Sequence, residues 1–223
     1  MQDRRRIRSF VLRAGRTTGA QERALVDLWP RFGIGPGTPI DLAAAFGRTA
    51  PTCVEIGFGI GEVIGSLAEA HPERNYLGIE VHRAGVGRLL LRAEERGLSN
   101  LRVVCEDAVE VLEARIADAS LEEILVFFPD PWHKKRHHKR RLIDPAFTRL
   151  LAGKLTAGGV LRLATDWQEY AEQMLSVLDA EPRFASLAPG GFVERPAFRP
   201  PTRFERRGQR LGHGVWDLAY RRV

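Results

Sequence analysis

The stretch TCVEIGFGIGEVIGSLAEA, from Thr52 to Ala70, decides the fold. Thr52–Ile56 is a short apolar run that reads as a buried strand. It enters a turn with glycine at 57, 59 and 61, and Glu62 to Ala70 follows with helical character. Glycine lets the backbone take positive φ and approach a ligand closely. Strand, glycine turn and helix in this order open a doubly wound sheet, whose ligands sit at the carboxyl ends of the strands. The dinucleotide fingerprint GxGxxG needs glycine at position 62, where Glu62 stands. The spacing is instead GxGxG, with Glu55 ahead of it.

The same alternation runs outward along the chain. Asn75–Glu80 reads as a second strand, and His82–Arg96 as a helix ended by Gly97. Leu101–Cys105 is a third strand, and Asp107 is placed to cap a helix over Ala108–Ile116. Glu123–Phe128 is a fourth strand. A further helix is expected to end near Ala157–Gly159, before a fifth strand at Val160–Thr165 and a helix at Trp167–Leu178. Strands spaced by helices predict an α/β fold, a mostly parallel sheet covered on both faces. Residues 189–212, rich in Pro, Gly and Arg, read as an ordered loop. Val215–Tyr220 then reads as a last strand, antiparallel because no helix precedes it. Residues 1–51 form a basic N-terminal extension with a short helix near Ala20–Trp29, and residues 52–223 a single catalytic domain.

The 223 residues, 44% hydrophobic, suit one sizeable domain. No run approaches the roughly 18 apolar residues of a membrane span. The Arg-rich start has no apolar core of a secretory signal and only superficially fits a transit peptide. Cys53 and Cys105 lie in apolar runs without metal or redox spacing, as buried thiols of a cytoplasmic protein would. Charge is unevenly spread: residues 1–23 carry +5, residues 24–131 carry −8, and residues 132–141 carry +6. An acidic body with basic flanks points to a polyanionic partner gripped at particular places.

Acids stand where the sheet would meet a ligand. Glu80 ends the second strand, where a carboxylate accepts both hydroxyls of a ribose. Asp107 ends the third, within reach of a purine's exocyclic amine, and Glu55 lies under the glycine turn. These acids suit a nucleoside but repel a pyrophosphate. S-adenosylmethionine, with an adenosine, an ammonium, a sulfonium and no phosphate, fits better than NAD.

The fourth strand runs into FFPDPWHKKRHHKRR, Phe127–Arg141. Asp130 is held extended between Pro129 and Pro131. Trp132 is placed to stack on a base. Nine consecutive residues, His133–Arg141, are His, Lys or Arg. Continued as an α-helix, the block puts Lys135 and Lys139 on one face and Arg136 and Arg140 on the next, a clamp for a phosphate backbone. His133, His137 and His138 are close enough for a metal, but the surrounding cations and the lack of an adjacent carboxylate argue against one. The acid between prolines also resembles the D/N-P-P-Y/W loops of methyltransferases acting on amino groups of bases.

The chain resembles the bacterial tRNA (guanine-N7-)-methyltransferase family. The resemblance is carried by RSF at 8–10, EIGFGIG at 55–61, GIEVH at 78–82, EDAVEVL at 106–112 and the FFPDPWHKKRHHKRR run, and continues through ATDW at 164–167, TRFE at 202–205 and RLGHGVWD at 210–217. It spans nearly the whole chain, and two departures are small: His138 replaces an expected asparagine, and Arg203 a common lysine. The resemblance implies a Rossmann-like, seven-stranded class I methyltransferase fold with its last strand antiparallel. It implies cofactor contacts from Glu55, Gly57, Gly59, Gly61, Glu80, Asp107 and Asp130, with Asp130 in the active site. It implies substrate contacts from Lys134, Asp166, Thr202, Arg203, Phe204 and Glu205, and RNA contacts from Arg136, His137, His138, Lys139, Arg140 and Arg141. The cofactor would be S-adenosylmethionine, the partner tRNA, and the product m7G at position 46 of the variable loop. No metal and no membrane are expected, and the expected assembly is a monomer or a homodimer.

Guanine N7 carries a lone pair and no proton, so the expected enzyme aligns rather than deprotonates. Guanine also offers donors at N1 and N2, which carboxylates accept. Asp166, ending the fifth strand, and Glu205, in the tail loop, are the candidates. A methyltransferase for a small metabolite explains the acids but not the basic block. A non-catalytic RNA-binding protein on the same fold would have lost cofactor binding.

Overall fold

The computed structural model describes residues 7–11, 17–200, 205 and 214–223. Three short helices come first: α1 (Gly19–Asp27), α2 (Trp29–Phe32) and α3 (Leu42–Phe46). Thr18 caps α1 reciprocally, its hydroxyl accepting from the Gln21 N–H while the Gln21 side chain accepts from the Thr18 N–H. The expected helix over 20–29 is therefore two helices, broken at Leu28, with Pro30 near the start of the second.

Then strands and helices alternate: β1 (Thr52–Ile56), α4 (Glu62–Ala70), β2 (Asn75–Ile79), α5 (Arg83–Glu95), β3 (Leu101–Val104), α6 (Ala108–Ala114), β4 (Leu121–Phe127), α7 (Pro145–Lys154), β5 (Leu155–Thr165), α8 (Gln168–Asp179), β6 (Phe184–Ser186) and β7 (Trp216–Arg222). The seven strands form one sheet in the order β3-β2-β1-β4-β5-β7-β6. β1 to β5 pair in parallel, and β7 lies antiparallel to both neighbours, β5 and β6. Strand order reverses between β1 and β4, which opens a crevice at their carboxyl ends.

Side chains on successive strand residues point to opposite faces, so the core is split in two. Val54, Ile56, Leu77 and Ile79 pack below α6, α7 and α8 side chains such as Val111, Leu151 and Met174. Cys53, Tyr76, Val103 and Leu125 pack on the other face with Ile64, Leu89 and Leu90 from α4 and α5. The N-terminal extension is shared between the layers: Ala24 and Leu25 of α1 and Phe32 of α2 join the second, and Ile40 and the α3 residue Phe46 join the first. A methyl at Gly87 of α5 would sit 2.8 Å from the Gln21 carbonyl oxygen, so α1 approaches α5 through a glycine notch. Beyond α2, Ile34 donates its N–H to the Val103 carbonyl, extending the β3 edge of the sheet.

Two elements depart from the expectations. The helix before β5 stops at Lys154, and β5 starts at Leu155 rather than Val160. Its pairing with β4 jumps from Leu121–Leu155 to Glu123–Val160, and Gly158 takes φ of +81° in the bulge. The glycine pair is thus a strand bulge and not a helix stop. β6, only three residues long, carries too little pattern to be read from sequence. No described helix is long and apolar enough to cross a membrane.

Candidate active site

The glycine turn after β1 sits over the crevice. Gly57, Gly59 and Gly61 have φ of +69°, +57° and +73°, a region that disfavours any side chain. All three of their N–H groups are already used inside the protein. Gly57 donates to the Ile79 carbonyl, Gly61 to the Phe58 carbonyl, and Gly59 to Glu80 Oε2 at 2.8 Å. The turn therefore offers no phosphate cradle from these glycines. Glu80 is buried, and its Oε1 also accepts from the Val81 and His82 N–H groups. Three backbone donors fix this carboxylate at the rim of the crevice, leaving about one of its four lone-pair sites, on Oε2, unused.

The crevice is lined by Gly57 and Gly59, by Glu80 and Asp107, and by Phe127 through Asp130. Its described charged lining residues are Glu80, Glu106, Asp107 and Asp130, without lysine or arginine. Asp107 caps α6, with Oδ1 accepting from the Val109 N–H at 3.0 Å. The Asp107 cap and its place in the crevice coexist. Glu55 and Gly61 do not line the crevice. Glu55 lies beneath the turn, 3% exposed, and accepts from the Ile64 N–H at the start of α4. Burial pushes its carboxyl up to about 8, the hydrogen bond from Ile64 opposing and the charge of Glu80 adding to the rise.

A further wall comes from the N-terminal extension. Ser9 and Phe10 line the crevice, and the Ser9 carbonyl accepts from Trp132 Nε1 at 3.0 Å. In the sequence these residues stand out only as part of the RSF motif, since nothing local shows a chain start folding over a pocket.

Asp130 is exposed at the crevice mouth. The residues on either side of the Pro-Asp-Pro unit, Phe128 and Trp132, take φ of +54° and +49°. Non-glycine residues held this way are strained, and such strain is held by the surroundings. Here the surroundings are explicit. Phe128 donates its N–H to the Ala164 carbonyl of β5. Arg141 reaches back from beyond the basic block, donating through Nε to the Pro131 carbonyl at 2.8 Å and through its guanidinium to Gln173 of α8.

The basic block is a 3₁₀ helix over Lys135–Arg140, not an α-helix. With three residues per turn, Lys135 aligns with His138, Arg136 with Lys139, and His137 with Arg140. Lys134, Lys135, Arg136 and Lys139 are exposed. Arg140 lies over the Trp132 ring at 4.8 Å, and His137 meets that ring edge-on. Trp132 is thus engaged on one face by Arg140, rather than open on both sides to a base. Partial desolvation and then the charges of Arg136, Arg140, Lys134 and Lys139 hold the His137 imidazole below its usual range. His138 turns toward Glu169 at 3.5 Å. Arg141 has only 2% of its side chain exposed, so it anchors the block instead of extending it.

A second cleft, about 580 Å³, opens beside β5 and is lined by Asp166, Trp167, Glu169 and Trp216 among others. His133 packs edge-on against Trp167 at 4.2 Å, so the loop from Asp130 reaches this cleft. Glu205 is 3% exposed and is held by Arg199 at 2.6 Å and Arg195 at 3.4 Å. Thr202, Arg203 and Phe204 lie outside the described residues. Among those described, no three His, Cys, Asp or Glu are grouped to hold a metal.

Residues 49–218 match a family model described as "Putative methyltransferase". A tRNA (guanine-N(7)-)-methyltransferase of Methylococcus capsulatus is 58% identical over 98% of this chain and 95% of its own length. The chain belongs to the tRNA (guanine-N7-)-methyltransferase family. Its relative of the same name in Leifsonia xyli is 59% identical over 97% of this chain and 96% of its own. In the fold alone it is similar to the 16S rRNA methyltransferase KamB, with a TM-score of 0.62 at 16% identity over 86% of this chain and 98% of that one. A 16S rRNA (adenine(1408)-N(1))-methyltransferase variant of Catenulisporales acidiphilia, solved with SAM, gives 0.56 at 18% identity, over 85% of this chain and 93% of that one. These matches bear out the expected α/β methyltransferase fold and the family resemblance carried by the motifs.

Proposed function

We propose that this protein transfers the methyl group of S-adenosylmethionine to N7 of a guanine in tRNA, at position 46 of the variable loop. The observation that carries the reading is one loop joining two opposite fields. Asp130 lines a crevice whose described lining holds four acids, Glu80, Glu106, Asp107 and Asp130, and no lysine or arginine, and five residues later the same chain enters an exposed cationic helix. The relatives' shared name supports the reaction and the substrate class.

The crevice fits the cofactor by charge and by hydrogen bonding. A dinucleotide needs backbone donors at the turn, and the glycines have spent theirs. Glu80, through the Oε2 site its backbone donors leave open, would accept from the ribose and Asp107 from the adenine amine, while Phe127 and Phe128 would supply apolar walls. When bound, the cofactor supplies an electrophilic methyl on a sulfonium. Guanine N7, held in line with that methyl, would accept it through its own lone pair, leaving a neutral thioether and positive charge on the purine.

No proton leaves N7, so Asp130 has no base role to perform. Its carboxylate aligns the reactants and stabilises the charge arriving on the ring. Two unit charges about 4 Å apart interact by roughly 4 kcal/mol at an effective dielectric of about 20. Much of that already favours the bound sulfonium, so the net catalytic share is about 1–3 kcal/mol, roughly 5- to 150-fold in rate. Asp166 and Glu205 read the N1 and N2 donors of guanine. Lys134, Lys135, Arg136, Lys139 and Arg140 hold the phosphates beside it, and His137 and His138 adjoin that surface. Unmodified tRNA incubated with methyl-labelled cofactor and then digested gives labelled m7G. Label confined to any other nucleoside refutes the reading.

A further inference from the structure

Arg199 is the largest side chain to be fully buried among the described residues, and no part of the reaction above uses it. A buried guanidinium is costly unless every donor direction is met. Here each of its three nitrogens donates to a carboxylate, and the two carboxylates come from different parts of the tail. Nε and one terminal nitrogen donate to the two oxygens of Asp217 at 3.1 and 2.7 Å, a fork-to-fork pair. The other terminal nitrogen donates to Glu205 Oε2 at 2.6 Å. The plane of the group lies close to two aromatic rings, 5.6 Å from Phe127 and 5.3 Å from Phe128. Those rings line the crevice immediately before Asp130. Asp217 is fixed in turn, because β7 pairs it with Ala164 at the tip of β5.

One guanidinium therefore ties the tail carboxylate, the rim of β7 and the end of β4 together. We propose that Arg199 is a positioning residue, which orients Glu205 toward the N1–H and 2-amino edge of guanine and sets its distance from the Asp130 loop. This rests on Glu205 being a reader of that edge. The fork matters: Lys keeps the charge but has a single nitrogen, which cannot hold Asp217 in two places and Glu205 in a third.

The test compares tRNA carrying guanine at the methylated position with tRNA carrying inosine there. Inosine keeps N7, O6 and N1–H and lacks only the 2-amino group. Wild type should prefer guanine by at least about tenfold in kcat/KM, since a carboxylate loses a charge-assisted hydrogen bond. Arg199→Lys should bring the ratio below about threefold, while cofactor affinity measured by titration calorimetry changes less than twofold. A merely structural role lowers both substrates alike and leaves the ratio intact, which overturns the proposal. Glu205→Gln separates the two layers. If it leaves the ratio unchanged, or if wild type does not discriminate, the reading of Glu205 fails and the proposal falls with it. If it collapses the ratio and Arg199→Lys does not, only the positioning role fails. Should Arg199→Lys not fold, Asp217→Asn loosens the same guanidinium from its other anchor and is judged by the same ratio.

Discussion

Trp132 donates its indole N–H to the carbonyl of Ser9, closing a gap of 123 residues in the chain. The bond fastens the N-terminal strap, with Phe10, over the crevice that Asp130 lines. Trp132→Phe keeps the ring under Arg140 but removes the donor. The expected result is a cofactor dissociation rate raised roughly 5- to 10-fold, the loss of about one net hydrogen bond, with tRNA affinity little changed. Stopped-flow displacement of the cofactor measures it.

Asp130→Ala removes the carboxylate from the crevice mouth while Pro129 and Pro131 keep the loop extended. Single-turnover methylation should fall by roughly 5- to 150-fold, and tRNA binding on filters by less than about threefold. Equal losses in both would make Asp130 a docking residue instead.

Lys135→Ala and Arg141→Ala should behave as opposites, although both lie in one cationic run. Lys135 is exposed, so its loss should reduce the log–log salt dependence of tRNA affinity by about 0.7 to 0.9. Arg141 is buried against Pro131, Gln173 and the Tyr170 ring. Its loss should leave the salt slope alone and lower stability by about 2 kcal/mol, roughly 4–8 °C in Tm. Thermal melts beside a salt titration separate the two.

Glu55 makes stability depend on pH. Its carboxyl is raised from 4.5 to about 8 in the folded chain by burial. An acid raised on folding contributes stability that is fully present below its unfolded value and is lost as pH rises through about 8. Glu55→Gln stays neutral and keeps an acceptor for Ile64. Urea melts without cofactor should show the variant and wild type nearly equal at pH 4.5. The variant should become the more stable by on the order of a few kcal/mol at pH 8.5.

Gly85 looks unremarkable in the sequence, yet a methyl there would lie 2.1 Å from the Gly59 carbonyl oxygen. Gly85→Ala should push the glycine turn out of place, destabilise the fold by about 1–3 kcal/mol and weaken cofactor binding more than tRNA binding. Calorimetry of each ligand checks this.

The parallel part of the sheet was legible because each strand is a short apolar run bounded by polar or glycine residues. The carboxylates at strand ends were legible for a related reason, since topology puts those ends at the crevice. What was hidden depends on contacts distant in sequence. Nothing near Arg141 shows that it turns inward while Lys139 does not. Nothing near Glu205 shows that two arginines enclose it. The 3₁₀ geometry of the basic block was hidden too, because a run of one residue class has no apolar period to separate three residues per turn from 3.6.

The Pro-Asp-Pro corner, with its two left-handed neighbours, has a consequence in entropy. Pro129 and Pro131 are already restricted in the unfolded chain, and Arg141 and Ala164 hold what remains. The corner thus has little freedom left to surrender when a base arrives, and binding need not offset an ordering cost there. Replacing either proline by alanine would shift that cost from folding to each encounter with RNA, so the penalty would appear as a slower turnover that grows with temperature.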